Sequence, residues 1–215
     1  YTGEAHENID RLLDYYGVNV KEGLIIETDR GHYYQDPFYI LPEISYDDIT
    51  SGIYNNGSYA FAPYAQGITI EEKEDVTIAE LLSSSDNSYL RNDISGVDSY
   101  EKQDSDEDGP FLIGVKCEKS AGEETSTAII YTSSNMFTND ANMIVSGTNV
   151  KLFTASLGTF ASHETSVSIP VKSMEADYLT VPQGTIMIIA LVTVVLLPVL
   201  FIVGGFIVWF RRRKK

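Results

Sequence analysis

Apolar positions open the chain at helical spacing. Ala5, Ile9, Leu12, Leu13 and Tyr16 fall on one side of a helix, and Gly17 supplies its C-terminal stop. The short apolar run 24–26 then predicts a strand. A helix followed by a strand is the order met in the middle of an α/β domain, so strands ahead of Tyr1 are expected to complete it. An opening residue other than Met fits a chain that begins inside a longer protein.

Pattern then weakens and returns. The segment GHYYQDPFYILPEI gathers aromatics around two prolines and reads as irregular and partly extended. Ser45-Tyr46-Asp47-Asp48 has the S-x-x-D form of a capping box and predicts a short helix running to Gly52. After the YNNG turn an extended piece follows, interrupted by Pro63 and Gly67. Residues 75–83 carry Val76, Ala79, Leu81 and Leu82, a pattern compatible with helix or strand. Residues 84–109 are mainly Ser, Asp, Asn and Glu and predict a loop or linker. Two β-type runs, 111–115 and 127–131, flank a turn at SAGEE. Val150, Phe153, Leu157, Phe160 and Ala161 share one helical face, with Thr148 or Asn149 as the cap. Residues 166–169 predict a last strand, which Pro170 ends.

The last apolar stretch differs in kind. No residue from Gly184 to Phe210 is charged, and Thr193 is the one polar side chain between Ile186 and Phe206. As a helix this stretch is about 40 Å long, enough to cross a hydrocarbon core of about 30 Å with some tilt. Trp209 and Phe210 stand where interfacial aromatics belong, and Arg211 to Lys215 form a basic flank that stays cytoplasmic. Everything before Gly184 is therefore expected outside the cytoplasm at a cell membrane. Pro198 is expected to kink the span, and Gly204-Gly205 offers a close-packing face.

Charge agrees with that topology. Five of the 15 Lys and Arg lie in the tail, while all 31 Asp and Glu precede the span, leaving a net charge near −21 ahead of it. Such a surface repels nucleic acid and anionic headgroups, so nucleic-acid binding is excluded as a function class. Cys117 is alone in the sequence, so no intrachain disulfide staples the domain, which must fold on its apolar core.

Candidate chemistry does not assemble into a site. Asp104 to Gly109, DSDEDG, matches the first half of a calcium loop, but the twelfth position falls on apolar Val115, which reads as strand. A solvated acidic loop is the better reading. Cys117 lies in an ordinary strand alternation, GVKCEK, away from any turn that would expose a thiol. His6, His32 and His163 show no metal-ligand spacing. Neither GVNVKEG nor GTIMIIA is a phosphate loop, and pairs such as Asp47-Asp48 and Glu71-Glu72 are expected by chance in so acidic a chain. No catalytic, cofactor-binding or metal-ligating residue is assigned, and no cofactor.

A family resemblance supplies a setting. NIDRLLDYYGVNVKEGLIIE, PFYILPEI, APYAQGITI, GPFLIGV and IPVKSMEADYLTVPQ occur in that order and close on the span and basic tail. Together they resemble the C-terminal half of the auxiliary components of uncharacterised ABC-type transport systems, the family of the gliding-motility-associated Gldg protein. The resemblance covers nearly the whole chain. It implies a membrane-anchored extracytoplasmic α/β domain, amidotransferase-like or intraflagellar-transport-like and here partial, followed by one C-terminal transmembrane helix. It also implies an ABC permease and ATPase as partners, and a further span in the part ahead of Tyr1.

The expected organisation is an extracytoplasmic α/β domain over 1–169 with an acidic loop at 84–109. A juxtamembrane connector over 170–183, a span over 184–210 and a cytoplasmic tail over 211–215 follow. The expected function is that of a non-enzymatic accessory subunit acting by protein contacts. The alternatives are a solute-binding module with a cleft lined by residues 33–39, and a surface hydrolase of the amidotransferase-like type, which rests on fold analogy alone.

Overall fold

The structure, a computed structural model, describes residues 7–92, 99–122, 124–161 and 181–213. Helix α1 (Glu7–Tyr15) begins with Glu7 and Asp10 in its first turn, where acids suit the helix dipole. Gly17 ends it at φ 71°, the left-handed conformation of a C-terminal stop. Strands β1 (Val18–Val20), β2 (Leu24–Glu27), β3 (Tyr39–Ile40) and β4 (Glu43–Ile44) follow, then helix α2 (Ser51–Tyr54). Next come β5 (Ala62–Pro63), β6 (Ile68–Ile70), β7 (Val76–Ser83), β8 (Ser88–Arg91) and β9 (Glu107–Asp108). Strands β10 (Leu112–Ala121) and β11 (Glu124–Tyr131) form a long hairpin. A 3-10 turn at Ser134–Phe137 leads into helices α3 (Asn139–Ile144) and α4 (Thr148–Phe160).

The fold is mixed α/β, and every ladder among the described residues is antiparallel. The main sheet runs β1-β6-β10-β7-β4, with β11 also paired to β10. A three-stranded sheet, β2-β8-β9, and the pair β3-β5 complete the domain.

A break in register on β10 gives the sheet two apolar faces. The pairing with β7 shifts between Leu112, Gly114 and Val115. Because a one-residue slip turns every later side chain to the other face, Ile113 enters one core cluster while Val115 and Cys117 enter another. The first cluster joins Ile25, Ile40, Leu81, Leu82, Leu90, Met136 and Leu152; the second joins Leu13, Tyr16, Val18 and Ile68. Gly114 sits at the break because Tyr131 crosses it: an added Cβ would lie 2.8 Å from Cδ1 of that ring.

Several sequence expectations change. Residues 75–83 resolve as strand β7. The stretch 84–109, expected as loop, contains β8, whose four residues are all buried, and β9. Strand β8 is also the partner of β2, with Ile25 opposite Leu90. The strand at 24–26 thus finds its neighbour within this sequence rather than ahead of Tyr1. The short helix expected up to Gly52 begins only at Ser51. Asp47, rather than Ser45, organises the turn before it: its Oδ1 accepts from Ile49 N–H at 2.9 Å, and Thr50 Oγ1 accepts from Asp47 N–H at 2.8 Å. Gly147 caps α4 in place of Thr148 or Asn149. Helix α4 buries Thr148, Asn149, Leu152 and Ser156, while Val150, Phe153, Leu157 and Phe160 are exposed. The apolar face read from the sequence is thus the one left outside. Ala5, the strand at 166–169 and most of the connector lie outside the described residues.

At the C-terminal end, helix α5 (Gln183–Ala190) passes through a π-helical segment, Leu191–Leu196, into helix α6 (Leu197–Arg213). The stretch Gln183–Gly205 is long and apolar enough to cross a membrane, and beyond Gly184 it is exposed. The π segment stands immediately before Pro198, whose missing N–H and ring disturb the α-helical ladder. Thr193 Oγ1 donates to Ile189 O at 2.8 Å, one turn back in the helix. Arg213 closes the helix with its guanidinium 5.3 Å from the centre of the Trp209 ring.

Candidate functional site

The residue types that carry chemistry are buried, paired or apart. Cys117 lies inside the sheet opposite Ala128 and Ile78, fully buried. Burial pushes its thiol up to about 11, so it stays protonated at neutral pH. His32 Nε2 lies 3.8 Å from Glu43 Oε1 at the surface, and His6 and His163 fall outside the described residues. Asp47 pairs with Lys116 at 2.9 Å, which raises the lysine's pKa, while Glu71 and Glu72 are exposed. Among the described residues no three or more His, Cys, Asp or Glu side chains converge as metal ligands.

The half-match to a calcium loop is put to another use. Asp106, its third position, turns inward and accepts from Arg91 Nη2 at 2.7 Å and from Gln103 N–H at 2.8 Å. The Arg91 hydrogen bond holds this carboxyl below its ordinary range. Arg91 also donates to the carbonyls of Ser99 at 3.0 Å and Glu101 at 2.6 Å. Glu107 pairs with Lys21 at 2.7 Å, and Asp108 pairs with Lys102. Arg91 of β8 and Lys21, which follows β1, thereby fasten the acidic segment to the domain. No sequence signal marked Arg91, because a buried arginine is recognisable only through its partner.

Fastening that segment places Tyr100 beside an aromatic surface. Phe38 stacks on Tyr64 at 5.9 Å and meets Tyr100 edge-on at 5.8 Å, while Tyr39 meets Tyr64 edge-on at 5.5 Å. Asp36 organises the group: Oδ1 accepts from Phe38 N–H at 3.0 Å, and Oδ2 accepts from Tyr100 Oη at 3.0 Å. Tyr64 is held at φ 54°, an uncommon conformation for a tyrosine, and its N–H donates to Phe38 O at 2.9 Å. Its hydroxyl lies 3.4 Å from that of Tyr39, and this contact leads in pushing its pKa up to about 12. Phenol faces rimmed with hydroxyls beside a carboxylate can stack on a planar, sugar-like or cationic group. Part of the segment 33–39 does belong to this surface, and Tyr64 and Tyr100 join it from outside that segment.

A second arrangement receives the apolar helix. Glu27, fully buried, accepts from Ser85 Oγ at 2.7 Å, Ser85 N–H at 3.0 Å and Asp29 N–H at 2.9 Å. Asp29 Oδ1 in turn accepts from Gly31 N–H at 2.8 Å. The loop so fixed presents the Arg30 carbonyl, which accepts from Gly184 N–H at 2.8 Å, and its guanidinium reaches Met187 Sδ. This carbonyl satisfies one of the unpaired donors of the first helical turn.

Fold and site together define a mixed α/β domain bearing one C-terminal helix fit for a membrane. No family model and no curated protein matches the chain. Among solved structures it is similar to one titled "mmIFT52 N-terminal domain", with a TM-score of 0.49 and 14% identity. The similarity covers 74% of this chain and 60% of that one, so the chain spans less than two thirds of that domain.

Proposed function

We propose that this chain is a membrane-anchored accessory subunit of an ABC-type transport system. One C-terminal helix holds it in the cell membrane, with the domain outside the cytoplasm and the basic tail inside. It acts by contact with the permease or its cargo, beside the ATPase, and performs no catalysis of its own. In this reading the domain belongs with the amidotransferase-like or intraflagellar-transport-like α/β domains. The observation that carries the reading is the uncharged run from Gly184 to Phe210 ending in five cations, joined to a domain whose only thiol is buried.

Affinity purification from detergent-solubilised membranes tests it. A multi-span permease and an ATPase are expected to co-purify in fixed ratio. Gly204→Leu with Gly205→Leu is expected to lower that recovery several-fold while sparing insertion, because bulk at those glycines separates helix backbones. Recovery of the chain without either subunit overturns the reading.

The surface around Phe38, Tyr64 and Tyr100 favours a second reading, a solute-binding module. It predicts that purified protein retains a small aromatic, sugar-like or cationic ligand detectable by mass spectrometry, and that Tyr100→Ala loses it.

A further inference from the structure

The exposed side of α4 is out of keeping with the rest of the domain. Val150, Phe153, Leu157 and Phe160 are 48%, 44%, 53% and 53% exposed, and they follow one another up a single stripe of the helix. Met143, on α3, is 45% exposed beside them in sequence. Phe153 touches only the edge of the core, its ring tilted 5.1 Å from that of Phe137. In a domain so acidic, residues 134–161 carry one acid, Asp140, and one base, Lys151. Lys151 lies well round the helix from the stripe. An apolar stripe on a nearly neutral segment is the composition of a helix that rests in a lipid interface.

Contacts lead from the span to this helix. Gly184, in the first turn of α5, is bonded to Arg30. Four residues beyond Arg30, Tyr34 meets the ring of Phe61 edge-on at 6.3 Å. Phe61 is bonded to α4 on both sides of its peptide: its N–H donates to Asn149 Oδ1 at 3.0 Å, and its carbonyl accepts from Asn149 Nδ2 at 2.8 Å. Tyr34 also packs against the cluster of Leu41, Phe61, Ala141 and Val145, which α3 helps to form. A relay of packed residues thus ties the base of the span to the start of α4, and the start of α4 carries the first of the exposed apolar residues. Rest on a bilayer at this stripe also turns a neutral segment, rather than the acidic remainder, toward headgroups.

We infer that the α4 stripe, Val150, Phe153, Leu157 and Phe160, is a lipid-facing surface that lays the domain on the outer leaflet of the membrane its own span crosses. The occupant is the bilayer itself, held by apolar insertion and not by charge. The inference is independent of the transporter reading, since it requires only the span.

The test uses the full chain in phosphatidylcholine vesicles. Trp209→Phe removes the native indole, and Leu157→Trp places a probe on the stripe. Tyr15→Trp, on an exposed residue of the acidic helix α1, which packs on β1, is the control. Lipids brominated on their acyl chains are expected to quench the Leu157→Trp probe about twofold or more and to leave the control unaffected. If Leu157→Trp fails to fold, shown by Cys117 becoming reactive to a thiol reagent, Phe160→Trp gives the same measurement. Emission typical of water, quenched by acrylamide and not by bromolipid, overturns the inference. Blue-shifted emission protected from both quenchers also overturns it and assigns the stripe to a protein partner or a second copy.

Discussion

Arg91 and Asp106 form a buried ion pair, 2.7 Å between Nη2 and Oδ2, with side chains only 4% and 2% exposed. Neither charge has water to return to, so each depends on the other and on the carbonyls that Arg91 also binds. Asp106→Ala is expected to cost about 3–5 kcal/mol, because it leaves a guanidinium unpaired in the interior. Arg91→Met together with Asp106→Leu is expected to cost much less. Thermal unfolding followed by circular dichroism distinguishes them; equal losses for both variants would show that packing, not the pair, is at stake.

The same pair sets an acid limit. Asp106 is held below its ordinary value, so the folded form binds its proton less readily than the unfolded chain does. The stability this contributes is present above the unfolded carboxyl's range, near pH 4, and is lost as pH falls through the lower folded value. A Tm that declines less steeply below pH 4 in the Arg91→Met, Asp106→Leu variant than in the native chain is the expected result.

Cys117 sets an alkaline limit of opposite sign. Its pKa is raised from 9.0 to about 11 by burial, so its contribution is complete below pH 9 and is lost as pH rises through 11. The thiol is expected to resist thiol reagents at pH 8 until the protein unfolds. Cys117→Ala is expected to leave the proposed association with a permease intact and to cost about 1–2 kcal/mol through the lost sulfur packing. Rapid modification of the folded protein would place the thiol at the surface instead.

Gly114 and Tyr131 are expected to be coupled. Gly114→Ala sets a methyl 2.8 Å from the Tyr131 ring and is expected to cost about 1–3 kcal/mol by overpacking. Tyr131→Leu, which shrinks the opposing side chain, is expected to recover part of that loss in the double variant. Additive losses in the cycle would remove the steric explanation.

Orientation is open to direct labelling. An impermeant maleimide added to intact cells is expected to label Asn56→Cys, which lies on an exposed turn, and to reach Lys215→Cys only after permeabilisation. The reverse pattern would invert the orientation proposed above.

Long elements with strong period or length were legible in the sequence: α1, the β10–β11 hairpin, α4 and the apolar C-terminal helix. Strand β8 was hidden because two of its four residues, Ser88 and Arg91, are polar and buried, made tolerable by bonds to Ser85 in one case and to Ser99 and Asp106 in the other. Helix α4 was found, but its apolar face lies outside. Its buried face uses Asn149, bonded to Phe61 and Met136, and Ser156, bonded to Leu152 and Tyr131. Hydrophobic pattern scores such residues as outward, whereas satisfied polar side chains pack inside. The aromatic surface escaped for a related reason: Tyr64 and Tyr100 reach Phe38 through the fold, not through any local spacing.

The π segment before Pro198 has a consequence for how the span meets its neighbours. A π turn holds one more residue than an α turn, so side chains beyond it are rotated by about 100° from where an uninterrupted helix would carry them. Gly205 therefore takes the direction that an unbroken helix would give Gly204, in line with Ile186, and Gly204 turns toward the side of Ile189. The glycine pair is thereby brought to the same side of the span as the isoleucines of α5. A companion helix seated on the glycine pair in one leaflet can therefore follow the same side of the span into the other.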